Sequence, residues 1–239
     1  MPFFNKFWAL ACVAAATLCS SQSAWAQSSC SSDGQRSPTA LLERFINADC
    51  DACWADPATP KPRAGELALD WIVPSAKGGD APLSAAASRD ALNRLQAAKQ
   101  PAPVTAFNLR RPSVAQPLPL RVARGVALGG YIGASIELAP PRRAMQSIYP
   151  MTARLLLIEE IPAGSDGTPV ARNLVRNALE ITWSGPGASA PQANARKRLY
   201  ESRPLSIPQG ASPDRLRVVG WVEDANGKVI ASAASVCVQ

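Results

Sequence analysis

The sequence predicts a two-part chain, with an α/β layer in residues 27–105 and an antiparallel, sandwich-like β portion in residues 106–239. Three observations predict it. First, two apolar runs of strand length, TALLERFINA (39–48) and LALDWIV (67–73), flank room for one short helix and lead into SAAASRDALNRLQAA (84–98), the order in which an α/β layer begins. Second, Pro101, Pro103, Pro112, Pro117 and Pro119 punctuate a segment that reads as a connector. Third, everything beyond it is short apolar runs joined by Gly- and Pro-rich links, with no further helical periodicity.

The N-terminal residues set the compartment. Lys6 precedes the apolar run FWALACVAAATLC, which is too short to span a bilayer, and Ala24-Trp25-Ala26 is a small-x-small cleavage site. Residues 1–26 therefore read as a cleaved signal peptide, and the expected location is the periplasm or the exterior. A lipid anchor would need a small residue before its cysteine, whereas Cys19 follows Leu18. No later run approaches the ~20 apolar residues of a membrane helix, so no membrane span is expected.

Loss of the leader removes Cys12 and Cys19 and leaves Cys30, Cys50, Cys53 and Cys237. An even number in an exported chain favours disulfides over free thiols. Of the three pairings that four cysteines allow, Cys50–Cys53 with Cys30–Cys237 uses the local pair and ties the two ends of the mature chain together.

Along the chain, QSSCSSDGQRS (27–37) is a polar lead-in without periodicity. The strand at 39–48 runs into Cys50 and Cys53, and the strand at 67–73 closes at Pro74. The helix at 84–98 places Ala87, Ala91, Leu92 and Leu95 on one face, with Ser84 as its cap. After the connector, LPLRVARGVAL, YIGASIELA, ARLLLIEEIPA, NALEITW, LRVVGWVED and KVIASAASV read as strands. Asn226-Gly227 predicts a hairpin between the last two, because both residues accept positive φ. The segment 184–198, SGPGASAPQANARKR, reads as a loop.

Composition excludes several functions. The net charge is +7, or about +6 without Lys6, but the densest basic run, Arg196-Lys197-Arg198, has no aromatic interleaving, so nucleic acid is not an expected partner. The absence of histidine rules out a Ser-His-Asp triad. Zinc would need all four remaining cysteines, which an oxidising compartment closes, and the acids Asp49, Asp51, Asp56 and Asp70 fit no EF-hand spacing. No metal or other cofactor is expected. GVALGGYIG (125–133) lacks dinucleotide-binding spacing, and its glycines suit a bulge or close packing in a strand.

FINADCDACWADPA (45–58) resembles the opening of a family of secreted, uncharacterised bacterial proteins with a thioredoxin-like fold. In that family a strand enters Phe-Thr-Ser-x-x-Cys-x-x-Cys-Pro and a helix, and a later strand carries an aspartate beside an aromatic. Phe45-Ile46-Asn47 with Cys50 and Cys53 matches the first element and Leu69-Asp70-Trp71 the second; Trp54 replaces the proline. The resemblance implies an α/β thioredoxin-like N-terminal portion, with Cys50 as attacking thiol, Cys53 as resolving thiol, and a cis-proline facing them for which Pro117 and Pro119 are the candidates. Exported proteins or peptides with thiols would be the partners.

Local chemistry leaves two readings open. A helix N-terminus favours thiolate at Cys50, but Asp49 and Asp51 flank it, no lysine or histidine lies between residues 40 and 60, and Pro57, Pro60 and Pro62 keep the helix short. A static structural disulfide in a non-enzymatic binding module competes with thiol–disulfide exchange. Asp70 interrupts an apolar strand and could accept a proton from the resolving thiol, or face solvent. Trp54 and Trp71 could line a peptide groove, or fill the core.

Overall fold

The computed structural model describes residues 29–141, 149–184 and 198–237. The expected leader, Arg196 and Lys197, and nearly all of the expected loop at 184–198 lie outside the described residues.

In chain order the elements begin with β1 (Cys30–Ser31), β2 (Ala40–Asn47), α1 (Asp51–Trp54), β3 (Glu66–Val73), α2 (Arg89–Ala97) and β4 (Ala106–Pro112). They continue with β5 (Leu120–Leu128), β6 (Tyr131–Leu138), β7 (Met151–Ile161), β8 (Arg172–Trp183), β9 (Leu199–Ser206), β10 (Leu216–Glu223), β11 (Val229–Ala234) and β12 (Val236–Cys237). A five-stranded sheet has the order β12-β1-β5-β6-β9, and a seven-stranded sheet the order β11-β10-β7-β8-β3-β2-β4. No described helix is long and apolar enough to cross a membrane.

This is a β-rich fold, which overturns the expected α/β thioredoxin-like portion. The helices have only four and nine residues, too few to cover a sheet as α/β layers do. Only β3 makes parallel ladders, with β2 and β8, and every other ladder is antiparallel. The seven-stranded sheet takes strands from both sides of residue 105. The connector supplies one of them: FNLRR alternates exposed and half-buried positions, and β4 pairs along β2 as the outermost strand, where Pro112 at its end costs no central ladder bond.

The predicted long helix is also cut back. Ala87 bridges Ile72, and the Ser88 amide donates to the Ile72 carbonyl at 3.1 Å, so this stretch stays extended on the sheet. The cap is therefore Ser88, not Ser84: its hydroxyl accepts from the Ala91 amide at 3.3 Å. The hairpin between β10 and β11 forms, but of its two turn residues only Gly227 has positive φ (76°). Asp224 does the rest, its side chain accepting from the amides of Asn226 and Lys228, each at 2.9 Å.

The seven-stranded sheet curls until its outer strands approach each other. Ser113, just after β4, bridges Val229 of β11, and the Val114 amide donates to the Val229 carbonyl at 3.0 Å. One cluster consequently joins residues from opposite ends of the sheet, including Phe45, Phe107, Trp71, Trp221 and Val229, with Ala91 and Leu95 of α2 plugging the hollow. The convex face is covered by the five-stranded sheet, through Val122, Ile136, Leu155, Leu157, Val218 and Val222. The two sheets approach closely at Gly220, where a Cβ would lie 2.9 Å from Val122 and 3.0 Å from Ile136 of the facing sheet.

The hollow also holds charge. The Arg94 guanidinium grips both oxygens of buried Glu43 at 2.6 Å and reaches Glu223 at 3.2 Å. Glu223 in turn meets Arg111 at 2.8 Å, Arg154 at 2.5 Å and the Trp221 indole N–H at 2.9 Å. Burial opposes ionisation of Glu223, yet the guanidiniums of Arg94, Arg154 and Arg111 outweigh it and hold the carboxyl below its usual range. A depressed folded-state value means stability that is fully present above the ordinary glutamate value of ~4.3 and lost as pH falls through the lower folded value. Urea midpoints measured between neutral pH and pH ~3 are expected to fall over that acid window, and to fall less steeply in Glu223→Gln. An equally steep fall in the variant would remove Glu223 as the cause.

Candidate functional site

β2 delivers the cysteine pair. Its buried run ends at Asn47, whose side chain accepts from the Asp49 amide at 2.9 Å and donates to the Pro103 carbonyl at 3.0 Å, turning the chain outward. Cys50 then caps α1, and its sulfur accepts from the Cys53 amide at 3.3 Å. The two cysteines form a disulfide with α-carbons 5.2 Å apart, and both are half-buried. The helix ends after one turn, as Pro57, Pro60 and Pro62 require.

What holds this turn to the sheet is a buried ion cluster. Asp70 is fully buried on the convex face, directly beside Arg44 in the β2–β3 ladder. One of its oxygens accepts from Arg172 at 3.0 Å, and the other from Arg44 at 2.6 Å and the Asn173 amide at 2.9 Å. Arg172 carries the connection outward. It donates to the Trp54 carbonyl at 2.8 Å, the Thr59 hydroxyl at 3.0 Å and the Cys53 carbonyl at 3.4 Å, and its guanidinium lies 4.8 Å from the Trp54 ring centre. Two of these acceptors, the Cys53 and Trp54 carbonyls, lie at the C-terminal end of α1, so Arg172 caps the helix that bears the cysteines. Arg44 does the same for the returning loop, donating to the Pro60 carbonyl at 3.1 Å. Burial lowers the Arg172 pKa, against the pull of Asp70.

The sequence-predicted residues thus divide. Asp70 and the cysteine pair come together through Arg172, with both Asp70 oxygens occupied. Trp54 is buried, donating its indole N–H to the Asp166 carbonyl at 2.8 Å, while Trp71 points to the concave face and stacks on Phe45 at 6.0 Å; they share no groove. Pro117 and Pro119 flank Leu118, whose amide donates to Ile230 of β11, four strands from β3 in the sheet order; the cis peptide bond among the described residues is Tyr149-Pro150. Cys30 and Cys237 sit directly opposite each other in the β1–β12 ladder and form the second disulfide, with Arg124 donating to the Cys237 sulfur at 3.4 Å. The four cysteines among the described residues are therefore two separate pairs.

Three residues were missed from the sequence. Arg44 and Arg172 are the partners of Asp70. Lys77 lies 3.4 Å from Asp49 and offsets a negative charge next to Cys50, although it is 28 residues away in the chain. The signal for Arg44 was present, since it interrupts the apolar run of β2 as Asp70 interrupts that of β3. Arg172, 102 residues from Asp70 in the chain, had no local signal.

No family model matches the chain, and no curated protein matches it. Among solved structures it is similar to HBP35 of Porphyromonas gingivalis, at 10% identity and a TM-score of 0.46, over 86% of this chain and 76% of that one.

Proposed function

We propose that the protein is exported, with residues 1–26 removed as a leader, and exchanges disulfides with other exported proteins through Cys50 and Cys53. The observation that carries this reading is the contrast between the two disulfides. Cys30 is wholly buried and its half-buried partner Cys237 is held opposite it in a strand ladder, whereas both cysteines of the Cys50–Cys53 pair are half-exposed on a single helical turn, with the Cys53 amide aimed at the Cys50 sulfur.

In the oxidised state a substrate thiolate attacks the Cys50 sulfur. The Cys50–Cys53 bond breaks and Cys53 leaves as thiolate, taking up a proton from solvent. A second substrate thiol, once deprotonated, attacks its own sulfur in the mixed disulfide, leaving the substrate oxidised and the pair reduced. Cys50 is released as thiolate, which the Cys53 amide stabilises. The Asp70–Arg172–Arg44 cluster fixes the turn throughout, as a positioning element.

A second reading has its own support: Arg172 and Arg44 clamp the turn so thoroughly that the disulfide serves as a staple in a binding module. Titration against a dithiol couple, with free thiols trapped and read by mass spectrometry, separates the two. Exchange predicts that Cys50 and Cys53 are trapped while Cys30 and Cys237 stay closed, and that Cys50→Ser accumulates no mixed disulfide at position 50. If both pairs stay closed down to about −300 mV, the staple reading stands instead.

A further inference from the structure

The concave side of the curled sheet, opposite the cysteine pair, contains a cleft of about 210 Å³ between α2 and strands β3, β7 and β8. Its apolar surface comes from Leu156, Leu179 and Ala178, and Trp71 and Arg94 form part of its wall. Two buried donors in that wall are unmatched among the described residues. The Trp71 indole N–H has no hydrogen-bond partner although Trp71 is 2% exposed, and Arg94 Nη1 makes an ion contact to Glu223 at 3.2 Å without a hydrogen bond. A buried donor without an acceptor is costly.

The carboxylates nearest Arg94 are already engaged, and Glu180, which also lines the cleft, is engaged by Arg154 through one oxygen at 2.8 Å. Both Glu43 oxygens are held by Arg94, and Glu223 is shared by Trp221, Arg111 and Arg154. Asp90, at the rim, accepts from the Ala178 amide at 3.1 Å. None of these acceptors bonds to the Trp71 indole N–H, and an incoming molecule could supply one that does. An apolar cavity of ~150 Å³ takes up benzene, so this cleft has room for a ring and a small polar group. The hollow of a closed or nearly closed sheet is also a common place for such sites.

We propose that this cleft binds a small single-ring molecule carrying a carbonyl-type acceptor, a carboxylate or a carboxamide, with the ring against Leu156 and Ala178 and the acceptor turned toward Trp71 and Arg94. The inference is independent of the thiol chemistry, since the two sites occupy opposite faces of one sheet.

The test titrates the intact protein with benzoate, benzamide and toluene, following tryptophan emission and calorimetric heat. Benzoate or benzamide is expected to bind at least about tenfold more tightly than toluene. Asn93→Phe, at an exposed position of α2 bordering the cleft, should weaken that binding at least tenfold by closing the mouth, and Ala178→Leu should do so by filling the floor. Trp71→Phe keeps the ring but deletes the N–H, and should erase the preference over toluene. No binding of either probe up to about 10 mM overturns the proposal, because water alone then fills the cleft. Toluene binding as well as benzoate overturns it too, as does wild-type affinity in Asn93→Phe or an undiminished preference in Trp71→Phe.

Discussion

Asp70→Ala is expected to destabilise the fold by about 3–5 kcal/mol, the cost of removing one partner from a buried ion cluster. Among the described residues Asp70 is the only anion bonded to both Arg44 and Arg172, each 1% exposed, so its loss strands two guanidiniums inside the protein. Water enters or the arginines swing out, and either response releases the Trp54 and Pro60 carbonyls that hold the cysteine-bearing turn. Urea unfolding should show the stability loss. In the same variant the Cys50–Cys53 bond should be reduced faster by a small dithiol under native conditions, while Cys30–Cys237 keeps its wild-type rate. Asp70→Asn, which retains volume and one acceptor, should lose less than the alanine variant. A loss under about 1 kcal/mol for Asp70→Ala would mean the cluster adds little to stability, as replaceable buried ion pairs sometimes do.

Removing the other disulfide should have a comparable effect by a different route. Cys30 and Cys237 close a loop with a sequence separation of 207. In the chain-entropy account, opening a loop of that length restores about 5 kcal/mol of freedom to the unfolded chain. Cys30→Ala with Cys237→Ala should therefore lower the urea midpoint strongly, with the native sheet order intact. The equivalent double substitution at Cys50 and Cys53, only 3 apart in sequence, should cost far less. Equal losses for the two pairs would contradict this assignment of roles.

The parts of this architecture that could be read from the sequence are those set by neighbours along the chain. β2 and β3 appear almost where their apolar runs predict, because eight residues of buried strand leave a continuous signature. β10 and β11 announce themselves through the turn at Asn226-Gly227. The parts that could not be read depend on partners far apart. The helix expected from Ser84 starts later because Ala87 is captured by Ile72, a tertiary contact that outweighs alanine's helix propensity. β4 was hidden by flanking prolines, which an outermost strand tolerates. The strand-helix-strand opening suggested an α/β layer, and β2 and β3 are indeed parallel neighbours. The strands that extend the sheet on either side instead come from the later chain and from β4, mostly antiparallel, which makes the fold β-rich.

At the site, the cysteines and Asp70 were visible as residue types out of place in their surroundings. Their relationship was not, because the joining residue arrives from β8. Arg44 and Asp70 nevertheless form a detectable pattern: one opposite charge at the same register position in each of two adjacent apolar strands. Once the two strands are paired in that register, the two charges neutralise each other.

The pairing of β1 with β12 has a mechanical meaning. Pulling on the backbone at residues 30 and 237 loads a covalent bond and the short strands on either side of it. The sheets behind that bond feel almost none of the force, so the oxidised molecule should resist stretching between these points far beyond the limit of its non-covalent contacts. Reduction of one bond would convert it into a chain that extends under load.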